Sequence, residues 1–310
     1  MRQTVFCIVM LIISHNTVFS QKQAQGDLDI LILEGNYLGQ KTPGLTPELF
    51  APGIVSTKEY NDRDLTISPD GKQLFFARTK TGNNDDYNYD IMYSELQNGI
   101  WTVPQIAWFS GKYGEVEAFF TPDGNKLFFN SNRPVSGEGR SEHWETWFLK
   151  KSVDDWSEPE LLGPPFRRVC HTTFSENGNM YFTREDIAAL FMVSYTNGVF
   201  GRPKKLDTII NSAAVQYNSF ISSDESYLIF TRISEEDGFG KGDLYVSFRN
   251  NTHGWSKPVN LGSDINSPEL ESCPSVSNDG KFLFFTSNMG GNNDVYWVDI
   301  KILDELNPFK

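Results

Sequence analysis

Two rows of polar residues stand at fixed distances ahead of five turns that recur along the chain. Six residues before the third position of each turn lie Asp64, Glu117, His171, Asn218 and Cys273. Eight residues before it lie Asp62, Glu115, Val169, Gln216 and Glu271. Arg78, Arg184 and Arg232 end the strands that follow three of the turns, and Arg133 opens a loop at the same end. Side chains alternate along a strand, so the two rows are expected on one side, facing the mouth of a central channel. Carboxylates, amides, a histidine and arginines at one mouth can hold a polar ligand; they can equally form a ring of ion pairs that ties repeats together. As catalysts, Asp64, Glu117 and Glu271 would supply the acid and the base or nucleophile of glycoside hydrolysis, with His171 polarising a substrate oxygen.

The turns that set these distances are Ser68-Pro69-Asp70-Gly71, Thr121-Pro122-Asp123-Gly124, Ser175-Glu176-Asn177-Gly178, Ser222-Ser223-Asp224-Glu225 and Ser277-Asn278-Asp279-Gly280. Each follows an apolar residue and precedes an apolar run such as Leu74-Phe75-Phe76 or Leu283-Phe284-Phe285. Asp or Asn with Gly tolerates the backbone angles of a tight reversal, so each turn joins an inner strand to a second strand. A third strand follows in every unit, as in Asp90-Ile91-Met92-Tyr93 and Asp294-Val295-Tyr296-Trp297. A fourth is marked by an aromatic residue and a proline: Trp101 with Pro104, Trp156 with Pro159, Phe200 with Pro203, Trp255 with Pro258. Proline suits an outer edge. Four strands per unit make one propeller blade.

The last unit lacks a fourth strand, and a matching segment, Leu45 to Phe50, stands before the first inner strand. The expected fold is therefore all-β: a single β-propeller of five four-stranded blades, its ring closed by an N-terminal strand joining the last blade. Leu28 to Leu33 leaves a sixth, irregular blade open. The expected division is a leader over 1–20, an N-terminal extension over 21–44 and the propeller over 45–310.

Apolar-Ser-Pro-Asp-Gly-Lys before an apolar strand, together with Gly290-Gly291-Asn292-Asn293-Asp294-Val295-Tyr296, resembles the TolB-type, WD-like propeller repeat of bacterial envelope proteins. The resemblance covers nearly the whole chain after the leader and implies a scaffold that binds or docks. Copies three and four depart from it, with Glu176 and Ser223 in place of proline and Glu225 in place of glycine.

Arg2, the apolar run Val5 to Ile13 and Val18-Phe19-Ser20 have the layout of a secretory leader cleaved near Ser20/Gln21, which implies a periplasmic or secreted protein. The apolar run is too short to span a bilayer. Cys170 and Cys273 remain after cleavage, either paired or as two separately buried thiols. A net charge of −13 argues against nucleic acid and anionic membrane surfaces as partners. The expected partner is an envelope protein, a peptide or a glycan, bound by a monomer.

No Gly-x-Ser-x-Gly elbow and no His-Glu-x-x-His occurs, and the chain has four histidines, so neither a prolyl-oligopeptidase type enzyme nor a zinc hydrolase is expected. The Asn- and Asp-rich loops Gly82 to Asp86 and Gly290 to Asp294 offer oxygen ligands for calcium without the ligand order of a known calcium loop, so no cofactor is expected. The leading reading is a non-catalytic binding module, with a glycosidase-like enzyme as the alternative.

Overall fold

Each of the five turns is closed from within. In the computed structural model, the leading hydroxyl of four of them donates to the Asp two residues on, at 2.6–2.9 Å: Ser68 to Asp70, Thr121 to Asp123, Ser222 to Asp224 and Ser277 to Asp279. The next residue takes a left-handed φ: 67–80° at Gly71, Gly124, Gly178 and Gly280, and 59° at Glu225. A left-handed glutamate is unfavourable by itself. Its carboxylate offsets this by accepting from Ser175, Asn179 and Tyr181 of the preceding blade and pairing with Arg249 at 2.9 Å. The odd turn thus joins two blades, and the Ser175 hydroxyl is drawn to Glu225.

The structure describes residues 33–80, 88–153, 155–196, 199–213, 215–233, 237–252 and 254–310. Their strands form five antiparallel blade sheets, and Tyr195–Thr196 pairs with Val199–Phe200 in a separate two-stranded sheet. Blade 1 holds Tyr60–Ile67, Gln73–Lys80, Asp90–Gln97 and Gln105–Ile106. Blade 2 holds Glu115–Phe120, Lys126–Ser131, Glu145–Lys150 and Glu160–Leu161. Blade 3 holds Val169–Phe174, Met180–Arg184, Ala189–Val193 and Lys204–Lys205. Blade 4 holds Val215–Ile221, Tyr227–Ile233, Asp243–Phe248 and Val259–Asn260. Blade 5 holds Glu271–Val276, Phe282–Ser287 and Asp294–Asp299, and its outer strand is Glu48–Leu49.

Glu48 pairs with Trp297 and Leu49 with Tyr296, so the early strand completes the last sheet. Inner strands touch in cyclic order, the fifth against the first. This is a five-bladed β-propeller. In every blade the outermost strand is the pair of residues directly after the proline: Pro47, Pro104, Pro159, Pro203 and Pro258. Of the aromatic residues expected within that strand, Trp101 lies in a further two-residue strand, Ile100–Trp101, that also pairs with the third strand of blade 1, while Trp156 and Trp255 make single bridges to Lys151 and Arg249 ahead of the outer strand. Proline, which cannot donate to a ladder, fixes where the outer pairing begins.

Apolar side chains fill five interfaces between successive blades. Phe50, Phe76, Phe284 and Trp297 pack between blades 5 and 1. Phe75, Phe129 and Trp147 pack between blades 1 and 2, and Phe128, Phe174 and Phe182 between 2 and 3. Tyr181, Phe230 and Tyr245 join blades 3 and 4, and Val246, Phe285 and Tyr296 join 4 and 5. Within the N-terminal extension, Leu33 accepts from the Trp101 amide, and Tyr37 meets Phe282 edge-on at 5.2 Å. The leader expected over 1–20, residues 21–32 and the loop Gly82 to Asp86 lie outside the described residues. Among the described residues, no helix is long and apolar enough to cross a membrane.

Phe50 is fully buried where the ring closes. Phe50→Ala is expected to cost about 3–5 kcal/mol, read as a fall in the urea midpoint, whereas Val103→Ala on the exposed edge stays within about 0.5 kcal/mol of wild type.

Candidate functional site

The two polar rows are separated by an irregularity that strict alternation does not anticipate. Every inner strand shifts register near its middle, between Arg63 and Thr66, Val116 and Phe119, Cys170 and Thr173, Tyr217 and Phe220, and Ser272 and Ser275. At each shift sits a member of the row six before the turn, in left-handed conformation: Asp64 (φ 60°), Glu117 (60°), His171 (49°), Asn218 (48°) and Cys273 (53°). Such backbone costs about 1–3 kcal/mol per residue for non-glycine residues and persists where neighbours over-determine it.

Here neighbouring blades do so. The bulge frees one amide from the ladder, and the adjacent blade receives it. Glu117 N–H donates to Asp64 at 3.2 Å, His171 N–H to Glu117 at 2.6 Å, and Asn218 N–H to Thr183 at 3.1 Å. The Asn218 side-chain amide also reaches Glu117, at 3.1 Å. The five residues are buried and crowd the axis. Burial, then the nearby Asp64, pushes the Glu117 carboxyl up to about 7 against the pull of Arg63, the His171 amide and Asn218. Burial pushes His171 down to about 4, so its ring is neutral at pH 7.

Arg63, one residue ahead of this row, is the cation of the ring. It pairs with Asp64 at 2.8 Å and Glu117 at 3.7 Å, donates to Cys273 Sγ at 3.1 Å and lies over the Tyr89 ring. Alternation would turn it away from the row, and no sequence signal marks the bulge that brings it in. The thiols of Cys170 and Cys273 are both free.

The row eight before the turn does different work. Asp62 accepts from the Thr57 amide and hydroxyl, Glu115 from Ser110, and Glu271 from the Ser267 amide and hydroxyl. Gln216 exchanges hydrogen bonds with the Ala213 amide and carbonyl. Each brackets the loop that leads into its own inner strand. Two of the four arginines join these brackets: Arg78 pairs with Asp62 at 2.6 Å and Arg133 with Glu115 at 3.1 Å. Arg184 pairs with Asp186 at 2.6 Å, and Arg232 lies over the Tyr245 ring. The second Asn-rich loop is used similarly, with Asn292 donating to the Thr57 and Tyr60 carbonyls and so tying blade 5 to blade 1.

The axis is closed on the side of the turns. Phe119 of blade 2 and Phe220 of blade 4 meet edge-to-face, 6.3 Å between centroids, with blade 3 between their strands. Phe119 separates two cavities. One, of ≈ 10 Å³, is bounded by Asp64, Glu117, His171 and Cys273. The other is a funnel of ≈ 530 Å³ that opens between the five turns. Its wall mixes Leu65, Ile67, Phe174 and Ile221 with the hydroxyl residues Thr66, Ser222 and Ser275, and its exposed rim is Pro69, Pro122, Glu176, Ser223 and Asn278. This cavity lies on the face opposite the mouth expected from the polar rows.

Grooves continue the funnel on two sides. One, between blades 2 and 3, runs past Pro122 and Glu176 to Lys126, Tyr195 and Phe200. The other, between blades 5 and 1, runs past Pro69 to Tyr37 and Trp101. Around them, partial burial raises Asp70, Asp123, Asp224 and Asp279, but hydrogen bonds from the turn hydroxyls and amides outweigh it and hold all four below the usual carboxylate range.

No protein family's sequence profile matches the chain, and no curated protein matches it. Solved structures do resemble it. TolB from Acinetobacter baumannii shares 14% identity over 77% of this chain and 52% of its own, at a TM-score of 0.47. The propeller expected from the repeat thus has a TolB structure among its likenesses. A luciferin-regenerating enzyme (10% identity, 82% and 95% covered, TM-score 0.47) and the catalytic domain of the Coprinopsis cinerea GH62 α-L-arabinofuranosidase (9%, 83% and 97%, 0.45) also resemble it. These are likenesses of fold. The chain spans about half the length of TolB.

Asp294, at the start of the third strand of blade 5 and close to Asp62, has an unmet oxygen. Asp294 Oδ1 is buried without a hydrogen-bonding partner among the described residues. Burial, then Asp62, raises its pKa from 3.8 to about 6, opposed by the Thr57 amide. The folded chain therefore takes up this proton more readily than the unfolded one. The associated stability is present below pH 3.8 and is lost as pH rises through about 6. Asp294→Asn removes this dependence, so the melting temperature of the variant minus that of wild type is expected to rise between pH 4 and pH 8. A difference that stays flat over that range contradicts the assignment.

Proposed function

We propose that this propeller is a non-catalytic binding module that works outside the cytoplasm and receives an extended peptide segment of a partner protein. The observation that carries the reading is the trough formed by the funnel and its two grooves, which crosses the face of the turns. A funnel of ≈ 530 Å³ falls within the size range of ligand sites. Its length beyond the axis suits a linear ligand better than a compact one. Proline and phenylalanine surfaces at the centre favour apolar side chains. Glu176 and the ionised aspartates of the turns, partly offset by Lys72, Lys126 and Lys281, favour basic residues alongside them.

The polar ring supports a bracing role over the glycosidase alternative. Hydrolysis requires two carboxyl groups facing a sugar with room for a glycosidic oxygen between them. Asp64 and Glu117 instead accept backbone amides of the neighbouring blade, and Glu271 is buried against Ser267 and Ser287. The leader-like layout of residues 1–20 supports export.

Panning a library of linear peptides on the purified chain is expected to select segments with apolar and basic residues. Glu176→Lys should weaken them about tenfold through reversed charge, and Ser223→Trp, which fills the rim, should abolish capture. Peptides held equally well by Ser223→Trp, or binding confined to a glycan array, would overturn the proposal.

A further inference from the structure

The axial ring contains a donor set that neither the brace nor the trough accounts for. Asp64, His171 and Cys273 come from blades 1, 3 and 5, and one ligand atom of each lies within 4.8 Å of the other two. All three residues are buried, His171 to 7% exposure. Neither ring nitrogen of His171 has a hydrogen-bonding partner among the described residues, and neither does Asp64 Oδ1. Glu117 Oε1 stands 3.9 Å from Nδ1, beyond hydrogen-bonding distance. A buried imidazole with two unmet nitrogens is costly unless something else meets one of them.

We propose that Asp64, His171 and Cys273 bind one divalent first-row transition ion of the zinc class at the propeller axis. The donor types decide the class. One nitrogen, one sulfur and one oxygen suit a borderline ion, whereas calcium and magnesium take oxygen ligands. Tetrahedral zinc sets its ligand atoms about 3.5 Å apart, so the ion draws the three blades inward by at most roughly an ångström.

Charge and geometry agree with the assignment. As ligands, one carboxylate and one thiolate supply two negative charges, which a divalent ion neutralises. Arg63 pairs with Asp64 Oδ2, which leaves Oδ1 for the ion, and its donation to Cys273 Sγ is the kind of outer contact that orients a metal-bound thiolate. On binding, the thiol proton passes to solvent. The cavity of ≈ 10 Å³ beside the three ligands has about the volume of one water, enough to complete a fourth position. Phe119 and Phe220 bar the way from the funnel. Entry is from the other end, where the Arg63 side chain is 25% exposed. An ion so enclosed stabilises the ring by linking three blades, because it binds the folded chain in preference to the unfolded one.

The reduced, chelator-stripped full chain should be titrated with Co²⁺ under nitrogen and then with Zn²⁺. The expected result is one Co²⁺ per chain with a thiolate-to-cobalt charge-transfer band in the near ultraviolet. Zn²⁺ should displace it stoichiometrically and raise the melting temperature. Cys273→Ser should lose the band, Cys170→Ser should keep it, and His171→Gln should lose stoichiometric binding. Should Cys273→Ser fail to fold, X-ray absorption on the zinc-loaded wild type decides, with one sulfur and one imidazole expected around the metal. Absence of stoichiometric binding by the wild type, a band that survives Cys273→Ser, or a sulfur-free shell would overturn the proposal.

Discussion

A backbone amide expelled from its own sheet and received by the preceding blade is the contact around which the molecule is organised. It arises because the inner strands bulge just before the turns, at residues whose left-handed φ is unfavourable by about 1–3 kcal/mol each. A hydrogen bond from an amide to a carboxylate returns a comparable amount, about 1.5–3 kcal/mol. Asp64 and Glu117 therefore brace Glu117 and His171 respectively. The same bulges bring Arg63 to the axis, and its charge is what allows two carboxylates to share a buried space.

That arrangement divides the propeller into ends with different capacities. The buried axis is polar, crowded and shut by Phe119 against Phe220. The turn face is open, with mixed apolar and hydroxyl side chains at its centre and proline, serine, asparagine and glutamate at its rim. A large ligand has room only on the second, while the first admits nothing bigger than an ion or a water. One strand pattern thus yields a clamp and a socket.

The blade count was legible in the sequence because the turn, the apolar strand behind it and the proline ahead of the outer strand repeat together. The closing strand was legible for the same reason, since Pro47 precedes Glu48–Leu49 as Pro104 precedes Gln105–Ile106. The site was less legible. Asp62, Glu115 and Glu271 look like ligand groups in a list of residues, yet their partners are Thr57, Ser110 and Ser267 in loops with no recognisable pattern. The bulge was hidden because aspartate, glutamate, histidine, asparagine and cysteine occupy backbone positions that glycine normally announces. Without the bulge, Arg63 counts as a residue of the opposite side, and the turn face is no more than a row of reversals.

Amide hydrogen exchange at His171 tests the bracing role most directly. Its N–H donates at 2.6 Å to the carboxylate of Glu117 in the preceding blade. The account predicts that this amide exchanges only through global unfolding, among the slowest in the chain, and that Glu117→Ala brings its exchange to the rate of local opening. An amide that exchanges rapidly in the wild type, or one equally protected in Glu117→Ala, would contradict it.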